Sequence, residues 1–166
     1  MPVFRISKYD PSLRDAGGAY TREEWTSHGD IGKVFDGAEL TLAEYLVVEA
    51  RYLELLDKFL GWGRVKKLKV CGMEVNDRAS LQRCRGDAKQ GLSEGVWLEK
   101  AEIREVARLA LREVLWCRLE GQEFYVHFGY DFYMYISGVA LKGEPPAVTG
   151  LFVETNCESP HGNDGS

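Results

Sequence analysis

A chain of 166 residues, 45% hydrophobic and 28% charged, suits one globular domain with a real core and lies far from disordered compositions. Its net charge of −5 is uneven, because residues 154–166 hold Glu154, Glu158 and Asp164 and no Lys or Arg. The remaining −2 is mild and argues against nucleic acid as the main partner, since phosphate binding needs a basic surface.

Residues 3–9 alternate Val3, Arg5 and Ser7 against Phe4, Ile6 and Lys8, which predicts a first strand. Residues 10–40 are glycine-rich with scattered apolar positions, and Tyr20, Trp25, Ile31 and Phe35 imply that this long loop packs down. Thr41 and Glu44 then form a T-x-x-E capping box. Leu42, Tyr45, Leu46, Leu53, Leu56, Phe59 and Leu60 follow at helical spacing, and Gly61-Trp62-Gly63 marks the end of this helix.

Residues 66–75 read as a strand with Leu68 and Val70 alternating against lysines, and residues 76–95 as the least ordered internal segment. A second helix is expected from Leu98 to Leu119, with Ile103, Val106, Ala107, Ala110, Leu111, Val114 and Leu115 as its buried stripe. Arg104, Arg108 and Arg112 line up away from that stripe. They read as a solvated basic ridge, or as a secondary candidate surface for an acidic partner.

Between Phe124 and Ser137, seven aromatics fall within fourteen residues. Phe124, Val126 and Phe128 alternate with Tyr125 and His127. After a Gly129-Tyr130-Asp131 turn, in which Gly is expected to supply φ > 0, Phe132, Met134 and Ile136 alternate with Tyr133 and Tyr135. Two strands with one apolar face and one phenol–imidazole face follow. The second face is either a recognition surface or is covered by other parts of the chain. A last strand is expected near 148–153, leaving residues 1–153 as one domain and 154–166 as a frayed tail. This order of elements predicts an α+β fold, a mostly antiparallel sheet with two main helices on one face.

No P-loop, GxGxxG, HExxH or GxSxG string is present, so no catalytic residue is assigned and no cofactor is expected. Cys71, Cys84, Cys117 and Cys157 lack regular spacing and read as free thiols; with only His28, His127 and His161, no metal site is expected. Cys117, placed toward the end of the second helix, reads as a buried thiol rather than a partner for His127. The first ten residues lack a signal-peptide h-region and no stretch approaches 18 apolar residues, which implies a cytoplasmic protein without a membrane role.

Two groups of strings carry a family resemblance. One is Glu24-Trp25-Thr26-Ser27 with Asp30-Ile31-Gly32-Lys33, Leu40-Thr41 and Glu44-Tyr45-Leu46; the other runs from Trp116-Cys117-Arg118-Leu119-Glu120 to His127 through Ile136. Over residues 9–136 the chain resembles a family of small bacterial cytoplasmic proteins associated with contact-dependent growth inhibition, regarded as immunity proteins that neutralise a cognate toxin domain. The resemblance implies a non-enzymatic protein whose partner is that toxin domain. Read as a binding surface, the candidate contacts are Tyr125, His127, Tyr130, Asp131, Tyr133 and Tyr135, with Trp25 and Asp30 from the long loop. The alternatives are a small hydrolase-like enzyme using His127 and Asp131 between the 10–40 loop and the 124–136 hairpin, and a homodimer that buries the tyrosine face.

Overall fold

A computed structural model describes residues 1–86, 91–155 and 157–161. The elements in chain order are β1 (Val3–Ser7), β2 (Val34–Phe35), β3 (Ala38–Glu39), α1 (Leu42–Trp62), β4 (Lys67–Val75), α2 (Arg78–Arg85), β5 (Trp97–Glu99), α3 (Lys100–Leu111), β6 (Leu115–Glu120), β7 (Phe124–Phe128), β8 (Met134–Gly138) and β9 (Phe152–Glu154). Seven strands form one antiparallel sheet in the order β5-β4-β6-β7-β8-β1-β9, and β2 and β3 pair separately as a small hairpin. The fold is α+β.

Period-two alternation sorts the sheet into two faces. Leu68 and Val70 of β4, Leu115, Cys117 and Leu119 of β6, Phe124, Val126 and Phe128 of β7, Met134 and Ile136 of β8, and Phe4 and Ile6 of β1 all point into the core. Buried side chains of α1, including Tyr52, Leu56 and Phe59, and of α3, including Ile103, Val106 and Ala107, join the same cluster. The phase read from 124–136 is therefore correct.

The capping box starts α1 as its spacing predicts: Glu44 N–H donates to Thr41 Oγ1 at 3.2 Å, and Thr41 N–H donates to Glu44 Oε2 at 3.2 Å. The helix ends at Gly63, where a Cβ would stand 2.7 Å from the Phe124 ring. Two members of its expected buried stripe, Leu42 and Leu46, are instead exposed. The core is reached by Tyr45, Tyr52, Leu53, Leu55, Leu56, Phe59 and Leu60.

The second predicted helix is too long. α3 stops at Leu111, Glu113 takes a left-handed φ of 58°, and the chain restarts as β6. Val114 and Leu115 fit the helical stripe, yet Leu115, Cys117 and Leu119 also alternate against Trp116, Arg118 and Glu120, and pairing with β4 and β7 selects the strand. The arginine ridge is not a free basic surface. Arg104 pairs with Asp57, Arg108 Nε lies 3.6 Å from Glu49, and Arg112 grips Glu49 with two bonds of 2.7 Å. These pairs tie α3 to α1.

The segment 76–95 contains α2, started by Asp77, whose carboxylate accepts from Ser80 N–H at 3.0 Å; residues 87–90 of that segment lie outside the described residues. The last strand sits slightly later than expected, after a turn with φ 91° at Gly150. The expected frayed tail does not begin at 154. Glu154 closes β9 and accepts from Arg5 at 2.8 Å and Arg14 at 3.3 Å, and residues 157–161 lie against the sheet; Asn156 and 162–166 lie outside the described residues.

Candidate functional site

The outer face of β6, β7 and β8 carries the predicted phenol–imidazole set, and it is covered. Tyr125, His127 and Tyr135 are all buried, with His127 only 2% exposed. The His127 ring stacks on Tyr125 at 4.1 Å between centroids. Its Nε2 lies 3.0 Å from Glu120 Oε1 and its Nδ1 lies 2.8 Å from Ser159 Oγ. A carboxylate only accepts, so Nε2 carries the proton and Nδ1 accepts from the Ser159 hydroxyl. Burial pushes the His127 pKa down, against the upward pull of Glu120.

The covering strap is the C-terminal segment itself. Cys157 N–H donates to Val3 C=O, and His161 Nε2 donates to Phe128 C=O at 2.9 Å while its ring meets Trp116 edge-on. Tyr133, half-buried, accepts from Arg14 at 3.2 Å and lies under the Arg5 guanidinium. Among the described residues, 157–161 thus cover Tyr125, His127 and Tyr135, while Tyr130 stays in solvent. Burial also raises the pKa of Tyr125 and Tyr135.

The hydrolase alternative placed a site between the long loop and the hairpin. That junction is filled: Trp25 packs on Phe132 at 5.1 Å and Tyr45 at 5.5 Å, and Tyr52 packs on Phe132 at 4.8 Å. His127 is bonded to Ser159 and Glu120 rather than Asp131. Cys117 lies on the inner face, opposite to His127, with its thiol pKa pushed up to about 12 by burial.

The turn between β7 and β8 is built differently from its prediction. Asp131 and Phe132, not Gly129, take positive φ, at 58° and 65°. Gly129 is required for space, since a Cβ there would lie 2.8 Å from the Tyr135 ring. The two left-handed residues cost roughly 1–3 kcal/mol each. They are held from below: Tyr9 donates to Asp131 C=O at 2.7 Å and Tyr52 to Phe132 C=O at 2.8 Å. This rigid turn presents Tyr130, 85% exposed, to solvent.

Trp25 and Asp30 serve the long loop. Asp30 accepts from Thr26 N–H at 2.9 Å and Lys33 Nζ at 3.0 Å, and these bonds hold its pKa down against burial. Trp25 is also a wall of a groove of about 480 Å³ between this loop, the β2–β3 hairpin and α1. Phe35, Leu40, Val47 and Val48 supply its other apolar surface. Four lining carboxylates, Glu23, Asp36, Glu39 and Glu44, outnumber Arg22 and Arg51, while Glu24 faces Lys8 at 3.6 Å.

The outward positions of α1 change character beside this groove. In its first half they are Leu42, Ala43, Glu44, Leu46, Val47 and Ala50, with one charge among six; in its second they are Glu54, Asp57, Lys58 and Gly61. Leu42 is 54%, Leu46 40% and Val47 51% exposed, and Val34 on the hairpin is 61% exposed. Solvated helix faces carry charge, as the second half does. The sequence reading placed Leu42 and Leu46 in the core and so missed this surface. Spacing alone does not reveal it, because Leu42 and Leu46 share the helical side of Leu53 and Leu60, which are buried.

Among the described residues no group of His, Cys, Asp and Glu is arranged to hold a metal, all four cysteines are free, and no helix is long and apolar enough to cross a membrane. Comparison of the chain with protein-family models, curated proteins and solved structures finds no match.

Proposed function

We propose that this protein is a non-catalytic immunity protein that binds and neutralises a cognate toxin domain of a contact-dependent growth inhibition system in the cytoplasm. The observation that carries the binding role is the first half of α1, where Leu42, Leu46 and Val47 stand in solvent beside an apolar groove with an acidic rim. Contiguous exposed apolar side chains with a polar rim are the composition of a protein interface. The acidic rim fits a basic partner and would steer its approach. A toxin acting on nucleic acid has such a surface, since it must itself bind phosphates.

The toxin assignment rests on the resemblance of the two groups of strings. Support comes from their assembly in space: Trp25 and Tyr45 of the first group pack on Phe132 of the second. The two groups thus meet at Phe132, beside Trp25, which is a wall of the groove.

The test is co-purification with a candidate toxin domain of such a system, followed by titration of the pair. One-to-one, salt-sensitive binding of nanomolar order that abolishes the toxin's activity is the expected result. A well-folded toxin domain that fails to bind would overturn the reading. The Ser159–His127–Glu120 chain favours a competing hydrolase reading, since it links a hydroxyl to a carboxylate through imidazole. Labelling of Ser159 by a fluorophosphonate would support that reading; the inaccessibility of His127 predicts none.

A further inference from the structure

A second concavity, apart from that groove, has its own chemistry. It encloses about 730 Å³ where the α3–β6 turn, the β7–β8 turn and the strap meet. Trp116, Tyr130 and His161 give it aromatic walls, and Glu74, Glu113 and Asn76 give it polar ones. Glu74 stands directly opposite Trp116 across the β4–β6 ladder, so its carboxylate shares the outer face with the indole at cross-strand distance. Neither Glu74 nor Glu113 makes an ion pair among the described residues. Nearby arginines are already engaged, Arg112 with Glu49 and Arg118 with Glu120.

Both turns that frame the cleft are fixed in advance. Glu113 is left-handed, and its carbonyl accepts from Asn76 Nδ2 at 3.2 Å. Tyr130 stands on the turn clamped by Tyr9 and Tyr52. Aromatic walls with uncompensated carboxylates attract a cation. Among side-chain cations the guanidinium suits this arrangement best, because its flat face lies on an indole while its edge offers a fork of donors to a carboxylate. An ammonium is compact and strongly hydrated and gains less from the ring.

We propose that the cleft between Trp116 and Tyr130 binds the guanidinium of an arginine side chain from a protein partner, stacked on Trp116 and bonded to Glu74 and Glu113. This inference does not depend on the partner being a toxin.

The test is a titration of the full chain with N-acetyl-arginine amide, followed in 1H–15N spectra at the Trp116 indole N–H and the Asn76 side-chain amide. N-acetyl-citrulline amide, equal in shape and uncharged, is the control, and free L-arginine is the second arm. Saturable shifts centred on Trp116 and Asn76 are expected with the arginine amide and not with citrulline. Binding should weaken about tenfold in Glu74→Gln/Glu113→Gln, whose two side chains are exposed, so the fold is retained. Absence of shifts at Trp116, or equal shifts with citrulline, would overturn the proposal. Tighter binding of free L-arginine than of the blocked amide would make the ligand the amino acid itself and overturn the partner side chain.

Discussion

Replacing Lys8 by Met should stabilise the protein at neutral pH, and the gain should vanish on going to alkaline pH. Lys8 Nζ is buried, 4.1 Å from the Trp25 ring centroid, 4.3 Å from that of Tyr9 and 3.6 Å from Glu24. Burial lowers its pKa from 10.5 to about 8, only partly offset by Glu24. That gap corresponds to roughly 3 kcal/mol, an upper figure because stacking on two rings returns part of it. Below pH 8 both states hold the proton and the folded state carries the full penalty. Between pH 8 and 10.5 the unfolded chain keeps a proton that the folded chain has lost, so this residue's contribution rises with pH. Cys117 opposes it in the same range, since its thiol is raised to about 12 when folded and ionises first in the unfolded chain. The quantity to measure is therefore the difference between wild type and Lys8→Met, from urea unfolding at pH 7, 8, 9 and 10. Met keeps the alkyl volume and the aromatic contact. The expected difference is roughly 1–3 kcal/mol in favour of the variant at pH 7, shrinking steadily by pH 10. A difference independent of pH, or a variant less stable at pH 7, would refute the reasoning.

Phe128→Ala should cost roughly 3–5 kcal/mol, as truncation of a buried core aromatic does; a loss below about 1 kcal/mol in urea unfolding would contradict its place on the inner face. Tyr52→Phe removes the bonds to Phe132 C=O and from Lys8 N–H, so about 1–3 kcal/mol should be lost with the fold intact, and a neutral effect would mean the β7–β8 turn needs no clamp. Because the folded pKa of His127 is depressed, its contribution is present above pH 6.5 and is lost as pH falls through the folded value. A His127→Gln variant should show a shallower loss of stability on acidification than wild type, and an unchanged slope would count against a buried neutral imidazole.

Much of the scaffold was legible because local rules and tertiary packing agree. The alternation in 124–136 gave the two faces of the strands that pair with Val126 opposite Ile136 and His127 opposite Tyr135, and the Thr41–Glu44 box gave the start of α1. The boundary between α3 and β6 was not legible, because Glu113 turns the chain in a left-handed conformation without a glycine to announce it. The strap over the tyrosine face was hidden for a related reason. Ser159 and His161 sit in a polar, glycine- and proline-containing stretch with no periodicity, and only the sheet beneath gives them partners. Tyr125, His127 and Tyr135 were thus correctly placed on one face, while its closure lay beyond local pattern. The arginine ridge shows the converse. Helical spacing put Arg104, Arg108 and Arg112 on one side, but nothing local says that Asp57 and Glu49 of α1 face them.

The central claim, that the protein binds its partner through the first half of α1, is tested most directly by titrating the cognate toxin domain with wild type and with Leu46→Asp/Val47→Asp. Both side chains are exposed, so the variant should unfold within about 0.5 kcal/mol of wild type. The expected result is a loss of affinity of at least about 100-fold, as for disruption of an interface centre. Unchanged affinity in a variant of native stability would contradict the claim.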